Sequence, residues 1–147
     1  PARAMGYQQI WLAGFSMGGL GGLFYLISYP NERIDGLILC SPFLGDDILA
    51  EIENQGGVAT WTPPLPAKSQ WQYRLWSWLK QYQTNPSGYP PIYLGYAQDD
   101  TVTGRGPALL ETILPEQRVF SLPGGHDYPT FQAIWHEHIS RLAKELK

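Results

Sequence analysis

Ile10-Trp11-Leu12-Ala13-Gly14-Phe15-Ser16-Met17-Gly18-Gly19 carries an apolar run into a glycine-flanked serine, and a second apolar run, Leu20 to Tyr29, follows it. The first run reads as a strand and the second as a helix, and the turn between them has the G-x-S-x-G spacing of a nucleophile elbow. Ser16 must take a strained backbone conformation there for its hydroxyl to stand clear of the sheet. Gly14 and Gly18 are read as the positions that let neighbouring segments approach without Cβ clashes. A helix opening at Met17 aims backbone N–H groups, and the positive end of its dipole, at the point where negative charge would develop. Gly18, Gly19, Gly21 and Gly22 each cost about 1 kcal/mol of helix propensity against alanine, so close packing is expected to demand them. A phosphate-cradling loop is the poorer reading, because no Gly-Lys-Ser/Thr follows.

Outward from the elbow, Tyr7 to Ala13 is expected as the first strand, apolar enough to be buried on both faces. Pro30 stops the helix that runs from Met17 to Tyr29. Ile34 to Cys40 is the second strand, ending at Ser41-Pro42. From Gly45 to Pro90 the pattern changes. Asp46 to Asn54 suits a short helix, capped by its aspartates and ended by Gly56-Gly57. Trp61 to Pro66 is proline-rich and irregular. Trp71, Leu75, Trp78, Leu79 and Tyr82 then recur at helical spacing, on a helix from about Lys68 to Gln83. This stretch, 45–90, is expected as a helical insertion or cap, its aromatic stripe packed in the core or laid over a pocket. The alternation resumes with a third strand from Pro91 to Ala97, a helix near Pro107 to Leu114 and a fourth strand from Gln117 to Leu122. A last helix runs from Asp127, its N-cap, to Leu146. The order is βαβ, insertion, βαβα, which predicts an α/β domain with a parallel sheet of about four strands and flanking helices.

With 147 residues, 44% hydrophobic and 16% charged, the chain can bury one real core and shows no composition of disorder. A net charge of -3 and the absence of basic runs argue against a nucleic-acid partner. Cys40 is the one cysteine, which excludes an internal disulfide and fits a reducing, cytoplasmic compartment. No apolar run reaches the roughly 18 residues that span a bilayer. Pro1 is not an initiator methionine, and the first strand already carries the candidate serine. The chain is therefore expected to be part of a longer protein.

A serine hydroxyl needs a base to remove its proton, and the base needs a group to orient it. Of three histidines, His126 lies in Pro123-Gly124-Gly125-His126-Asp127, directly after the fourth strand, at the carboxyl edge where open α/β sheets place their sites. His136 and His138 sit inside the last helix two positions apart, on different faces, and are read as surface or core residues. No H-E-x-x-H or other metal pair is present. For the acid, Asp99 and Asp100 follow the third strand, and Asp46 and Asp47 follow the second. Either pair can reach a histidine, so position alone leaves the acid open.

The order serine, aspartate, histidine, each after a strand, resembles the α/β-hydrolase superfamily. Gly14-Phe15-Ser16-Met17-Gly18-Gly19, Pro91-Ile92-Tyr93-Leu94-Gly95-Tyr96-Ala97-Gln98-Asp99-Asp100 and Pro123-Gly124-Gly125-His126-Asp127-Tyr128 carry the likeness. The last piece is similar to the G-G-H-D-aromatic ending of bacterial esterases of the esterase-D and enterochelin-esterase type. The resemblance covers nearly the whole chain but only the C-terminal half of the family's fold. It implies Ser16 as nucleophile, His126 as base and Asp100 as orienting acid, with Asp99 as the alternative acid. It also implies the Met17 backbone N–H as one oxyanion donor. The second donor of the family comes from a loop after an earlier strand, which this sequence does not contain.

The activity so implied is hydrolysis of a carboxylic ester, on a small-molecule acyl substrate, through an acyl-enzyme and with no metal or organic cofactor. A thioesterase or an acyltransferase would use the same three residues. A non-catalytic binding domain of the same fold is the rival class, although it would have little reason to keep all three.

Overall fold

In the computed structural model, which describes residues 2–64 and 70–145, four parallel strands lie side by side in chain order. They are β1 (Trp11–Phe15), β2 (Gly36–Cys40), β3 (Ile92–Ala97) and β4 (Val119–Leu122). Register is fixed through Ala13↔Ile38, Leu39↔Leu94 and Gly95↔Phe120. β1 follows the elbow sequence directly into α1 (Met17–Ser28). Between β2 and β3 come α2 (Asp47–Asn54) and α3 (Trp71–Thr84), then α4 (Gly106–Glu111) precedes β4, and α5 (Tyr128–Glu145) follows it.

Side-chain alternation along β2 builds the two layers. All five β2 residues are buried, because neighbouring strands and helices cover both faces. Leu37 and Leu39 face one way, into a core shared with Leu20 and Leu23 of α1, Ile52 of α2 and Leu75 and Leu79 of α3. Ile38 and Cys40 face the other way, against Phe120 and α5's Ile134 and Leu142. Each fully buried leucine or isoleucine contributes about 1.5–3 kcal/mol of transfer free energy, so the larger core holds α1–α3 to the sheet.

The expected boundaries need several corrections. Tyr7 to Ile10 is not strand: the Arg3 guanidinium donates to the Gln8 carbonyl and to Asp35 Oδ2, and the same oxygen accepts the Ile10 N–H. These polar ties hold the lead-in as a bend, while the β2 ladder carries β1 on to Phe15. The second strand likewise starts at Gly36 rather than Ile34, and a short 3-10 turn at Glu116–Arg118 replaces the start of the fourth. Asp46 precedes α2 but makes no side-chain cap hydrogen bond. The helix is ended by glycines as expected, with Gly56 and Gly57 at φ of 89° and 102°. On α3 the buried stripe is Leu75, Trp76, Leu79 and Tyr82, and Trp71 stays 36% exposed beside the rings of Phe24 and Phe43. Trp76, outside the expected stripe, buries its indole and donates Nε1–H to the Leu44 carbonyl at 2.9 Å. The expected helix start at Lys68 and helix end at Leu146 lie outside the described residues, as do Pro1, Leu65 and Pro66.

Candidate active site

At the β1–α1 junction Ser16 has φ 50° and ψ −119°, a left-handed conformation that a non-glycine residue adopts only where its surroundings enforce it. The surroundings are a set of backbone bonds. Ser16 N–H donates to the Cys40 carbonyl at 3.0 Å, and the Ser16 carbonyl accepts the N–H groups of Gly19, Leu20 and Phe43. Its side chain makes no helix-capping bond, although a serine at this position usually does. The hydroxyl is therefore free for another partner. Met17 opens α1, and its N–H has no acceptor one turn back in the helix.

The glycines divide. A Cβ on Gly14 would land inside the Gly18 carbonyl group, so Gly14 is required by close approach. Gly19 lies against Pro42 and Gly22 against the Leu37 side chain, each within 3 Å of where a Cβ would sit. Gly18 and Gly21 face open space among the described residues, which corrects the expectation that all of these glycines answer to packing.

Asp100 and His126 meet. The Nδ1 of His126 lies 2.7 Å from Asp100 Oδ2, with the carboxylate side chain 2% exposed and the imidazole 20%. Asp100 Oδ1 accepts two further bonds, from Val102 N–H at 2.9 Å and Thr103 N–H at 3.0 Å. Burial alone would push this carboxyl upward. The hydrogen bonds from His126, Thr103 and Val102 outweigh burial and hold its pKa below the ordinary carboxylate value. An ionised Asp100 accepts only, so the proton of a neutral imidazole resides on Nδ1 and the lone pair is on Nε2.

Asp99 points elsewhere. It is exposed, donates its N–H to the Gly124 carbonyl at 3.0 Å and accepts the Gly124 N–H on Oδ2 at 3.3 Å. It thus ties the turn after β3 to the loop that carries His126. Gly124 has φ 131°, a conformation open to glycine, and a Cβ there would collide with the Thr130 hydroxyl. Asp127 caps α5 by accepting the Thr130 N–H at 2.9 Å on Oδ1, and that bond leads in lowering its pKa. Asp46 and Asp47 are exposed at the start of α2, with no bond to a histidine. His136 is exposed, and His138 is buried against the sheet.

No hydrogen bond joins Ser16 to His126 among the described residues. Rings connect their surroundings instead. Phe131 stands edge-on to His126 at 4.9 Å between centroids, and lies 5.6 Å from Phe15, the residue before the serine. Phe15, Phe131 and Trp135, with Tyr128, line an apolar cleft of about 290 Å³. Sequence reasoning missed Phe131 and Thr103. The Asp-x-Val-Thr run after β3 carried a signal for the second, since aspartate commonly accepts N–H groups two and three residues on. Among the described residues no group of three or more histidine, cysteine or carboxylate side chains is placed to hold a metal, and no helix is long and apolar enough to cross a membrane.

The chain has the α/β-hydrolase fold. The family model described as "alpha/beta hydrolase fold" matches residues 3–61, from the turn before β1 past the end of α2 to Trp61. The S-formylglutathione hydrolase of Staphylococcus aureus superposes with a TM-score of 0.55 at 17% identity, covering 89% of this chain and 50% of that one. The monoacylglycerol lipase of Paleococcus ferrophilus gives 0.52 at 17%, covering 95% and 71%. The capsule O-acetyltransferase of Neisseria meningitidis serogroup A gives 0.51 at 19%, covering 91% and 56%. The chain thus spans about half of the first of these structures. No protein of curated function matches it.

Proposed function

We propose that the whole protein carrying this sequence is a serine hydrolase acting on a carboxylic ester. The observation that supports this best is the 2.7 Å contact of a buried Asp100 with His126 Nδ1, on the same sheet edge as an uncapped serine at positive φ. In this reading Asp100 holds the imidazole so that Nε2 faces the nucleophile. His126 takes the Ser16 proton as Oγ attacks the acyl carbon, and the Met17 N–H at the start of α1 receives the developing oxyanion. The tetrahedral adduct collapses to an acyl-enzyme, with His126 returning the proton to the leaving alcohol. Water, deprotonated by the same histidine, then releases the acid. Asp99 is given no chemical role, because both its bonds serve the loop.

The acyl acceptor is a separate matter. The fold neighbours include a hydrolase, a lipase and an O-acetyltransferase, so transfer to an alcohol other than water is the second reading. Ester turnover by the whole protein tests the proposal. With a chromogenic acetate ester, a pre-steady-state burst of alcohol is expected, and it is lost in Ser16→Ala. Turnover unchanged in Ser16→Ala would remove Ser16 from the mechanism, and no turnover with any acyl ester would favour a fold kept for binding.

A further inference from the structure

Ser41, directly after β2, combines three features. It is fully buried, it has φ 42° although it is not glycine, and its hydroxyl is the acceptor for a strand N–H. Left-handed backbone is unfavourable for a residue with a Cβ, so something in the fold must hold it there.

The ladder supplies the reason. β2 and β3 pair through Leu39↔Leu94 and Cys40↔Gly95, and Ser41 N–H continues the ladder by donating to the Gly95 carbonyl at 2.9 Å. If β2 ran one residue further, its carbonyl at position 41 would accept the next N–H of β3, that of Ala97. The positive φ turns the backbone away into Pro42. The Ser41 hydroxyl takes the vacated place and accepts the Ala97 N–H at 3.0 Å. A serine thereby ends one strand without leaving a buried N–H of the other unpaired.

The position of that rung matters. Ala97 is the last residue of β3, and beyond it Gln98 and Asp99 donate their N–H groups to the opposite side, to Leu122 and Gly124. The Ser41 hydroxyl is thus the final hold of the β2 side on the segment leading to Asp100. On the other flank two neighbours of Ser41 grip the elbow: the Cys40 carbonyl accepts Ser16 N–H at 3.0 Å, and Phe43 N–H donates to the Ser16 carbonyl at 3.1 Å. Residues 40–43 therefore bond to the serine turn on one side and to the acid strand on the other. No direct hydrogen bond sets the spacing of Ser16 from His126.

We infer that Ser41 is a positioning residue, whose hydroxyl fixes the Asp100–His126 pair relative to the Ser16 elbow. The inference rests on the serine-hydrolase reading for its kinetic consequence, but not for its structural one. Ser41→Gly is the variant of choice, because glycine accepts φ 42° without strain while the hydroxyl is lost together with its Cβ. Ser41→Ala, which keeps the strain, is run beside it. In the whole protein Ser41→Gly is expected to lower kcat for an acetate ester by roughly ten- to a hundredfold with KM changed less than about twofold, the pattern of a misplaced catalytic group. It is also expected to move or broaden the far-downfield proton resonance of the His126 Nδ1–H bond to Asp100. Native kcat and an unmoved resonance in a folded Ser41→Gly would overturn the inference, even if the melting temperature fell. If the native protein and Ser16→Ala are equally inert, the hydrolase reading fails instead, and the resonance alone then decides whether Ser41 holds the pair.

Discussion

Asp99 and Asp100 are adjacent and chemically alike, yet the fold separates them. β3 ends at Ala97, and Asp99 lies in the turn that follows, tied to Gly124, while Asp100 comes after the turn and is buried. Asp100 is buried with three hydrogen bonds to its oxygens, and Asp99 is exposed on the loop. Asp100→Asn would present an amide to Nδ1 and favour the tautomer with its proton on Nε2, where the base is needed. If the proposed roles hold, a roughly ten-thousandfold fall in kcat is expected, by analogy with serine–histidine–aspartate enzymes. Asp99→Asn keeps an acceptor for Gly124 N–H and is expected to cost less than about tenfold. Ester kinetics on the two variants decide between them, and the reverse order would move the acid to Asp99. The Asp100 pKa is depressed, so its contribution to stability is present above the ordinary carboxylate range and is lost as pH falls through the folded value.

At the scale of elements, α5 is anchored through a polar group rather than only through its apolar stripe. His138 crosses from the helix to the sheet and donates from Nε2 to the Leu39 carbonyl at 3.1 Å, its ring 4.7 Å from Phe120. Gly95 leaves the space, since a Cβ there would sit 2.8 Å from that Nε2 and 2.7 Å from Ile134 Cγ2. Burial, aided by Arg141, pulls the His138 pKa down to about 4, although the Leu39 carbonyl and Glu137 act the other way. The sign follows. Between pH 6.5 and about 4 the unfolded chain binds this proton and the folded chain does not, so stability falls as pH drops through that window. The loss is on the order of 3 kcal/mol at its foot. Urea unfolding at pH 7 and pH 4.5 should show a smaller acid loss in His138→Gln, which can still donate to Leu39. Equal losses in the two proteins would show that His138 titrates normally. This anchor was not legible beforehand: the spacing of His136 and His138 put them on different faces, but which face met the sheet depended on where β3 lacks a side chain.

Over the whole molecule, what could be read from the chain was what is local in it. The strand–serine–helix turn, the parallel order of elements and the aspartate cap of α5 all depend on neighbours a few residues apart. What escaped depends on distant partners. Ser41 completes a rung with Ala97, 56 residues away, and looks like an ordinary strand-ending Ser-Pro. Trp76 is buried because the Leu44 carbonyl accepts its indole N–H, 32 residues away, and helical spacing from Trp71 pointed to the neighbouring stripe. The elbow glycines were half legible: the motif marks Gly14 and Gly18 alike, but only Gly14 meets a backbone.

The central proposal is that Ser16 is a nucleophile whose base is His126 held by Asp100. A fluorophosphonate probe reports this directly, because it forms a stable phosphonyl ester only with a serine activated by a base. Intact-mass and peptide mapping of the labelled whole protein should show one adduct, on Ser16, absent in Ser16→Ala and formed far more slowly in His126→Ala. A folded protein that takes no adduct, or takes it at another residue, would contradict the account.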